Sequence, residues 1–148
     1  MRIASALVTV ALLGSGDALA DDVPARVLGP AQVTDGITMV IRDVRVRLWG
    51  VALPSADAQC PTESGAVDCR DAAREHLMWL TENRYILCHR QDSATDDAML
   101  AKCSAGEGDI GSLMITEGLA VVADDVNDES YQQRQEQART EGRGVWSQ

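Results

Sequence analysis

The stretch "RVRLWGVALPSADAQC", Arg45 to Cys60, decides how the chain is read. With Val44 before it, the stretch sets Val44, Val46 and Leu48 on one face of a strand, the period-two pattern of a sheet with one buried side. The alternation runs as far as Leu53, and Pro54 opens a polar loop that ends at Cys60. Working outward, "ITMVIRD" (Ile37 to Asp43) alternates as a second strand, and Asp43 supplies the tight turn between the two. Val27 to Val33 alternates more loosely around Gly29 and Pro30, and "TDGIT" marks a turn after it. These three segments read as a three-stranded meander.

Downstream, "CRDAAREHLMWLTENR" spaces Cys69, Ala72, Ala73, His76, Leu77 and Leu80 along one helical face. "RYILCHR" and "AMLAKCSAG" are further strands, separated by the polar "QDSATDD". Asp109 is an N-cap for a short helix through Leu113 and Met114 that stops at Gly118. A polar helix starts at Ser130 with Tyr131, Gln135 and Ala138 on one side; Gly142 and Gly144 end it, and Trp146 can dock back onto the body. Short strands first and helices grouped late predict an α+β domain built on a small barrel.

The first residues, "MRIASALVTVALLGSGDALA", have the form of a signal peptide: Arg2, an apolar run from Ile3 to Leu13, and a small-residue cleavage pattern at Ala18-Leu19-Ala20. The run is too short to cross a bilayer core of roughly 30 Å as a helix. The expectation is a signal peptide over residues 1–20 and a single exported domain over 21–148, periplasmic or secreted. Arg2 and Asp17 cancel, so the mature chain keeps the net charge of −10. That charge disfavours nucleic acid as a partner, because such affinity comes largely from neutralising phosphates. Cys60, Cys69, Cys88 and Cys103 make an even count, so disulfides are expected, with three possible connectivities. The spacings lack a C-x-x-C pair and do not suit a zinc site. With three Trp, two Tyr and no Phe, the core has to be built mainly from aliphatic residues and Met.

The segments "VTDGIT", "VRLWGVALP", "QC" followed by "C…AA…L", "LAKC…G.DI", "TEGLAVV" and the closing "Y…Q..AR….GVW" together resemble the staphylococcal-nuclease-like (thermonuclease) family, over about Val27 to Trp146. The resemblance implies a five-stranded OB-fold barrel with three helices, and disulfides like those of exported relatives. If "RYILCHR" and "AMLAKCS" are antiparallel neighbours, Cys88 and Cys103 can face each other within bridging distance. Cys60 and Cys69 then close a small loop.

The resemblance also implies calcium-dependent cleavage of nucleic-acid phosphodiesters. That reaction needs carboxylates for a hard cation, a glutamate to activate water, and arginines against the charge developing on phosphorus. Residue by residue, the family's Asp-Gly-Asp-Thr turn is "DGIT" here, so Asp35 and Thr38 stand while a metal-binding acid becomes Ile37. The arginine of the Arg-Leu motif is kept as Arg47. The second metal acid falls on Ala52, the catalytic glutamate on Ser55, and the second arginine on Ala98. Of these five positions only Arg47 is retained.

The expectation is therefore a non-catalytic binding or structural module with no cofactor and no identified partner. One rival is a divergent metal-dependent phosphodiesterase with a relocated calcium site, for which Asp35 and Asp57, with Asp96 and Asp97 near the same mouth, are weak metal candidates. The other is a nucleic-acid binder that no longer cuts, with Arg42, Arg45 and Arg47 forming a stripe on one sheet face. "DDVNDESYQQRQE" looks superficially like a calcium loop, but Ser130 stands where the sharp turn needs glycine, so an acidic helix start is expected. His76 and His89 lack a second ligand and read as packing or surface residues. Met78, Met99 and Met114 read as core fillers, and Trp49, Trp79 and Trp146 as packing residues.

Overall fold

A computed structural model describes residues 24–91, 98–106 and 108–147. Strand β1 (Arg26–Gly29) breaks at Pro30, which has no N–H for a ladder, and β2 (Gln32–Val33) follows at once. Next come β3 (Thr38–Ile41), β4 (Val44–Leu48), β5 (Val51–Ala52), β6 (Gln59–Thr62), β7 (Gly65–Asp68) and helix α1 (Cys69–Thr81). Strands β8 (Ile86–Arg90) and β9 (Met99–Ser104), helix α2 (Ile110–Thr116), β10 (Val121–Val122) and helix α3 (Glu129–Thr140) complete the order, and Gly144–Trp146 forms a final 3-10 turn.

Six strands make one mixed sheet in the order β1-β8-β9-β4-β3-β2. Its pairs are antiparallel except β4 with β9, which run parallel. Strands β1 and β2 are two residues apart in the chain yet lie at opposite edges, so the sheet has to curl. The closeness shows at Gly29, where an added Cβ would lie 3.1 Å from Ile41 Cγ2. Three helices on a curled mixed sheet are the α+β arrangement expected from the sequence.

Some expectations change in detail. The first segment does not join one meander: Gln32–Val33 pairs with β3, but Arg26–Gly29 pairs with β8 at the other edge. Strand β4 stops at Leu48, because Gly50 turns with φ 77° and an added Cβ there would lie 2.9 Å from the Tyr131 ring. Val51–Ala52 then pairs with β10 outside the main sheet. The loop closed by Cys60 and Cys69 is a hairpin, β6 against β7. Its faces are almost wholly exposed, so no buried alternation marks it in the sequence. Arg42 and Asp43 are the two central residues of a tight turn, both with positive φ. Arg42 therefore leaves the face shared by Arg45 and Arg47, and the three-arginine stripe does not form.

The core is aliphatic. Met39, Ile41, Val46, Leu77, Ile86, Ala101, Ile110 and Met114 have no exposed surface, and Leu48 and Met99 have almost none. Met99 and Met114 fill the core as expected, but Met78 and Trp79 do not: they are 47% and 60% exposed. Both point away from the face that buries Ala73, Leu77 and Leu80. The pairing Cys88↔Cys103 sets those residues directly opposite, Cα atoms 4.0 Å apart, and they are bridged; Cys60 and Cys69 form the second disulfide.

Each helix begins on an aspartate. Asp68 accepts from Arg70 N, Asp109 from Ser112 N, and Asp128 from Ser130 N and Tyr131 N. Part of the acidic excess therefore sits where orphan amides and the helix dipole favour a negative charge. The Tyr131 hydroxyl donates to Asp109, tying the start of α2 to α3. Lys102 Nζ lies 2.9 Å from Asp128 and stands 4.8 Å and 4.9 Å from the Trp49 and Tyr131 ring centres. Trp146 docks under the Arg139 guanidinium, 4.3 Å from the ring centre.

Bonds from the Ser130 hydroxyl and Lys102 hold the Asp128 carboxyl down to about 2. The stabilisation is complete above the unfolded value of about 3.9 and is lost as pH falls through about 2. Asp128→Asn keeps a capping oxygen but loses the charge, so it should cost about 1 kcal/mol in urea melts at neutral pH, with the gap closing towards pH 2. At the tail, Gly144 has φ 53° and an added Cβ would lie 2.3 Å from the Gly118 carbonyl oxygen. Gly144→Ala should therefore destabilise by about 2–3 kcal/mol, read as a lowered Tm.

Candidate functional site

The turn between β2 and β3 is built by its own side chains. The Ile37 amide donates to Asp35 Oδ1 at 2.8 Å, and the Thr38 carbonyl accepts from the Thr34 amide at 2.9 Å and the Thr34 hydroxyl at 3.1 Å. Gly36 presses on α1: an added Cβ would lie 2.6 Å from Ala73 Cβ. The turn drives Ile37 inward, where its side chain is 9% exposed and joins the main hydrophobic core. Its carbonyl accepts from the Leu48 amide at 2.9 Å.

Strand register then gathers three of the five positions. Arg47 is the fourth of five residues in β4, opposite Thr38 of β3 on one side and Leu100 of β9 on the other. Ile37 immediately precedes Thr38. Ala98 immediately precedes β9 and is 4% exposed. Beyond the Gly50 turn, Ala52 is half-buried opposite Val121. Pro54 is buried, and its carbonyl accepts from Arg70 Nε at 2.9 Å.

Ser55 and Asp57 form a local exposed turn. The Ser55 carbonyl accepts from the Ala58 amide at 3.1 Å. The Ser55 hydroxyl donates to the Asp57 carboxylate and, with a backbone amide, holds that carboxyl below the usual range. The Ser55 hydroxyl thus caps a loop. Asp96 and Asp97 lie outside the described residues.

A calcium site takes about six to eight oxygen ligands, with carboxylates prominent. Of the carried-over ligand positions, Ile37 and Ala52 have no side-chain oxygen, and Asp35 already has one oxygen bonded to the Ile37 amide. Among the described residues, no three of His, Cys, Asp and Glu stand close enough together to hold a metal ion. The donors among the described residues do not fit calcium. The calcium-like run at 125–136 is also an acidic helix start, since residues from Glu129 onward belong to α3.

His89 is exposed on β8. His76 stacks on Trp79, with ring centres 5.5 Å apart, and burial lowers its pKa despite the opposing pull of Glu117. A second surface escaped the sequence reading. Trp79 and Tyr85 are both strongly exposed and line one groove. The available signal was phase: Trp79 lies between the buried Leu77 and Leu80 but off their face.

A curled mixed sheet with three helices defines an OB-type α+β scaffold. The chain belongs to the staphylococcal nuclease homologue family, whose sequence model matches residues 45–148. It is also 30% identical over 142 residues to the succinoglycan biosynthesis protein ExoI of Rhizobium meliloti (strain 1021), an alignment covering 94% of this chain and 73% of that protein.

Replacing Ile37 by Asp alone would place a carboxylate in a largely dry site. The expected cost is about 2–4 kcal/mol in denaturant melts, with no recovery on adding calcium.

Proposed function

We propose that this chain is an exported, non-catalytic member of its family, serving as a binding or structural module. The observation that carries the reading is Ile37: the position where the family pattern has a metal-binding acid is here a core residue, 9% exposed. Ala52, Ser55 and Ala98 support it, because they remove the second metal acid, the water-activating glutamate and the second arginine together. Such groups act as a unit, so losing several leaves little of the rate. A serine hydroxyl, far less acidic than a carboxyl, is a poor general base, and the one at Ser55 is already spent on the Asp57 carboxylate in the loop cap.

Export is supported by the signal-like start of the sequence and by two disulfides, which are compatible with a periplasmic or extracellular setting. Among the described residues no helix is long and apolar enough to cross a membrane. The net charge of −10 argues against a polyanionic nucleic acid as the ligand. The relative's name ties that protein to making a polysaccharide, and a setting beside polysaccharide suits a scaffold without phosphodiesterase groups.

The test is incubation of purified protein with single-stranded DNA and RNA, in calcium and then in EDTA. Neither cleavage nor a gel shift is expected. Calcium-dependent cleavage would establish the relocated-site hydrolase instead, and a shift without cleavage a nucleic-acid binder. Combining Ile37→Asp, Ala52→Asp, Ser55→Glu and Ala98→Arg should restore measurable calcium-dependent cutting if the positions are mapped correctly.

A further inference from the structure

A groove of about 800 Å³ lies between β2 and the C-terminal end of α1 with the turn that follows it. Two aromatic side chains dominate its exposed surface, Trp79 at 60% and Tyr85 at 70% exposure. His76 backs the indole, at an interplanar angle of 25°, and so holds that ring in place while the rest stays open. Around the rings stand the amides of Gln32 and Asn83, the carboxylates of Glu75 and Glu82 and the guanidinium of Arg84. An exposed Trp and an exposed Tyr lining one groove are costly to leave in water, and core packing does not explain them.

The geometry points to a saccharide-binding groove, in which Trp79 and Tyr85 are platforms for sugar rings and the amides and carboxylates bond their hydroxyls. A pyranose has an apolar face of C–H groups that lies flat on an aromatic ring, and hydroxyls around its rim that seek hydrogen-bonding groups. A concave cleft of this size, with a few polar groups around aromatic surface, suits a short oligosaccharide segment better than a flat protein partner. Stacked bases would use the same rings, but the two carboxylates of Glu75 and Glu82 outnumber the one guanidinium of Arg84, and the net negative lining disfavours the phosphates linking them. This inference rests on the non-catalytic reading above and names its ligand class. The groove is separate from the positions around Arg47, since none of them lines it.

The test is a titration of the purified protein, followed by calorimetry and tryptophan fluorescence. The probes are a panel of soluble neutral and acidic oligosaccharides, with oligo(dT) as the nucleic-acid arm. Saturable binding of at least one oligosaccharide and none of oligo(dT) is expected. Trp79→Ala and Tyr85→Ala, both at exposed positions, should keep the wild-type circular dichroism and Tm while weakening binding about tenfold or more. Failure of every oligosaccharide to bind would overturn the inference, as would equal binding by both variants or binding of oligo(dT) in the groove. None of those outcomes involves strand cleavage, so the non-catalytic reading stands or falls separately on the calcium assay.

Discussion

Strand β4 is hydrogen-bonded on both sides, antiparallel to β3 and parallel to β9, and most of the molecule takes its position from that double pairing. Val46 and Leu48 point into the core from it, and Arg47 between them is fixed opposite Thr38 and Leu100. A slip of one residue would exchange those faces, bringing a guanidinium into the core and two aliphatic groups out of it. The same register fixes where Ile37 and Ala98 sit, one residue outside the paired segments. What the mouth of the barrel can do chemically is therefore decided by the side chains at fixed backbone positions. In this chain those side chains are apolar.

That choice couples stability to chemistry. A core with a single fully buried aromatic, Tyr131, among the described residues depends on many small aliphatic contacts. Ile37 adds to them, where a carboxylate would need a cation and further ligands to be tolerated. The remaining charges are used structurally: aspartates cap all three helices, and Lys102 links β9 to the start of α3 through Asp128.

The elements legible in the sequence were those with a buried face or a marked end. Alternation marked β3 and β4, the polar stretch between two apolar segments marked β8 and β9, and helical spacing marked α1. Asp109 and Gly118 bracketed α2, and Tyr131 with Ala138 marked the inner side of α3. The less legible parts lack such a signal. The β6–β7 hairpin has almost no inward side, β5 and β10 are two residues each, and the move of β1 to the far edge depends on the curl of the whole sheet. At the candidate site, the residue types at Ile37, Ala52, Ser55 and Ala98, where the resemblance implies charged groups, could be read directly. The depth of Ile37 and the use of Ser55 as a loop cap could not, because both depend on what packs or bonds nearby. The Trp79 and Tyr85 surface was hidden for a related reason: a tryptophan in an apolar run looks like core until its helical phase is fixed.

The disulfide connectivity has one more consequence. The bridges join the first cysteine to the second and the third to the fourth, Cys60 with Cys69 and Cys88 with Cys103. A chain threaded through a pore with its amino end leading presents each thiol to an oxidant just ahead of its proper mate. Pairing in order of arrival already yields the native pattern. If the chain is exported as proposed, it can be oxidised as it emerges, before α2 and α3 have left the channel, with little need for an isomerase to correct mispaired bridges.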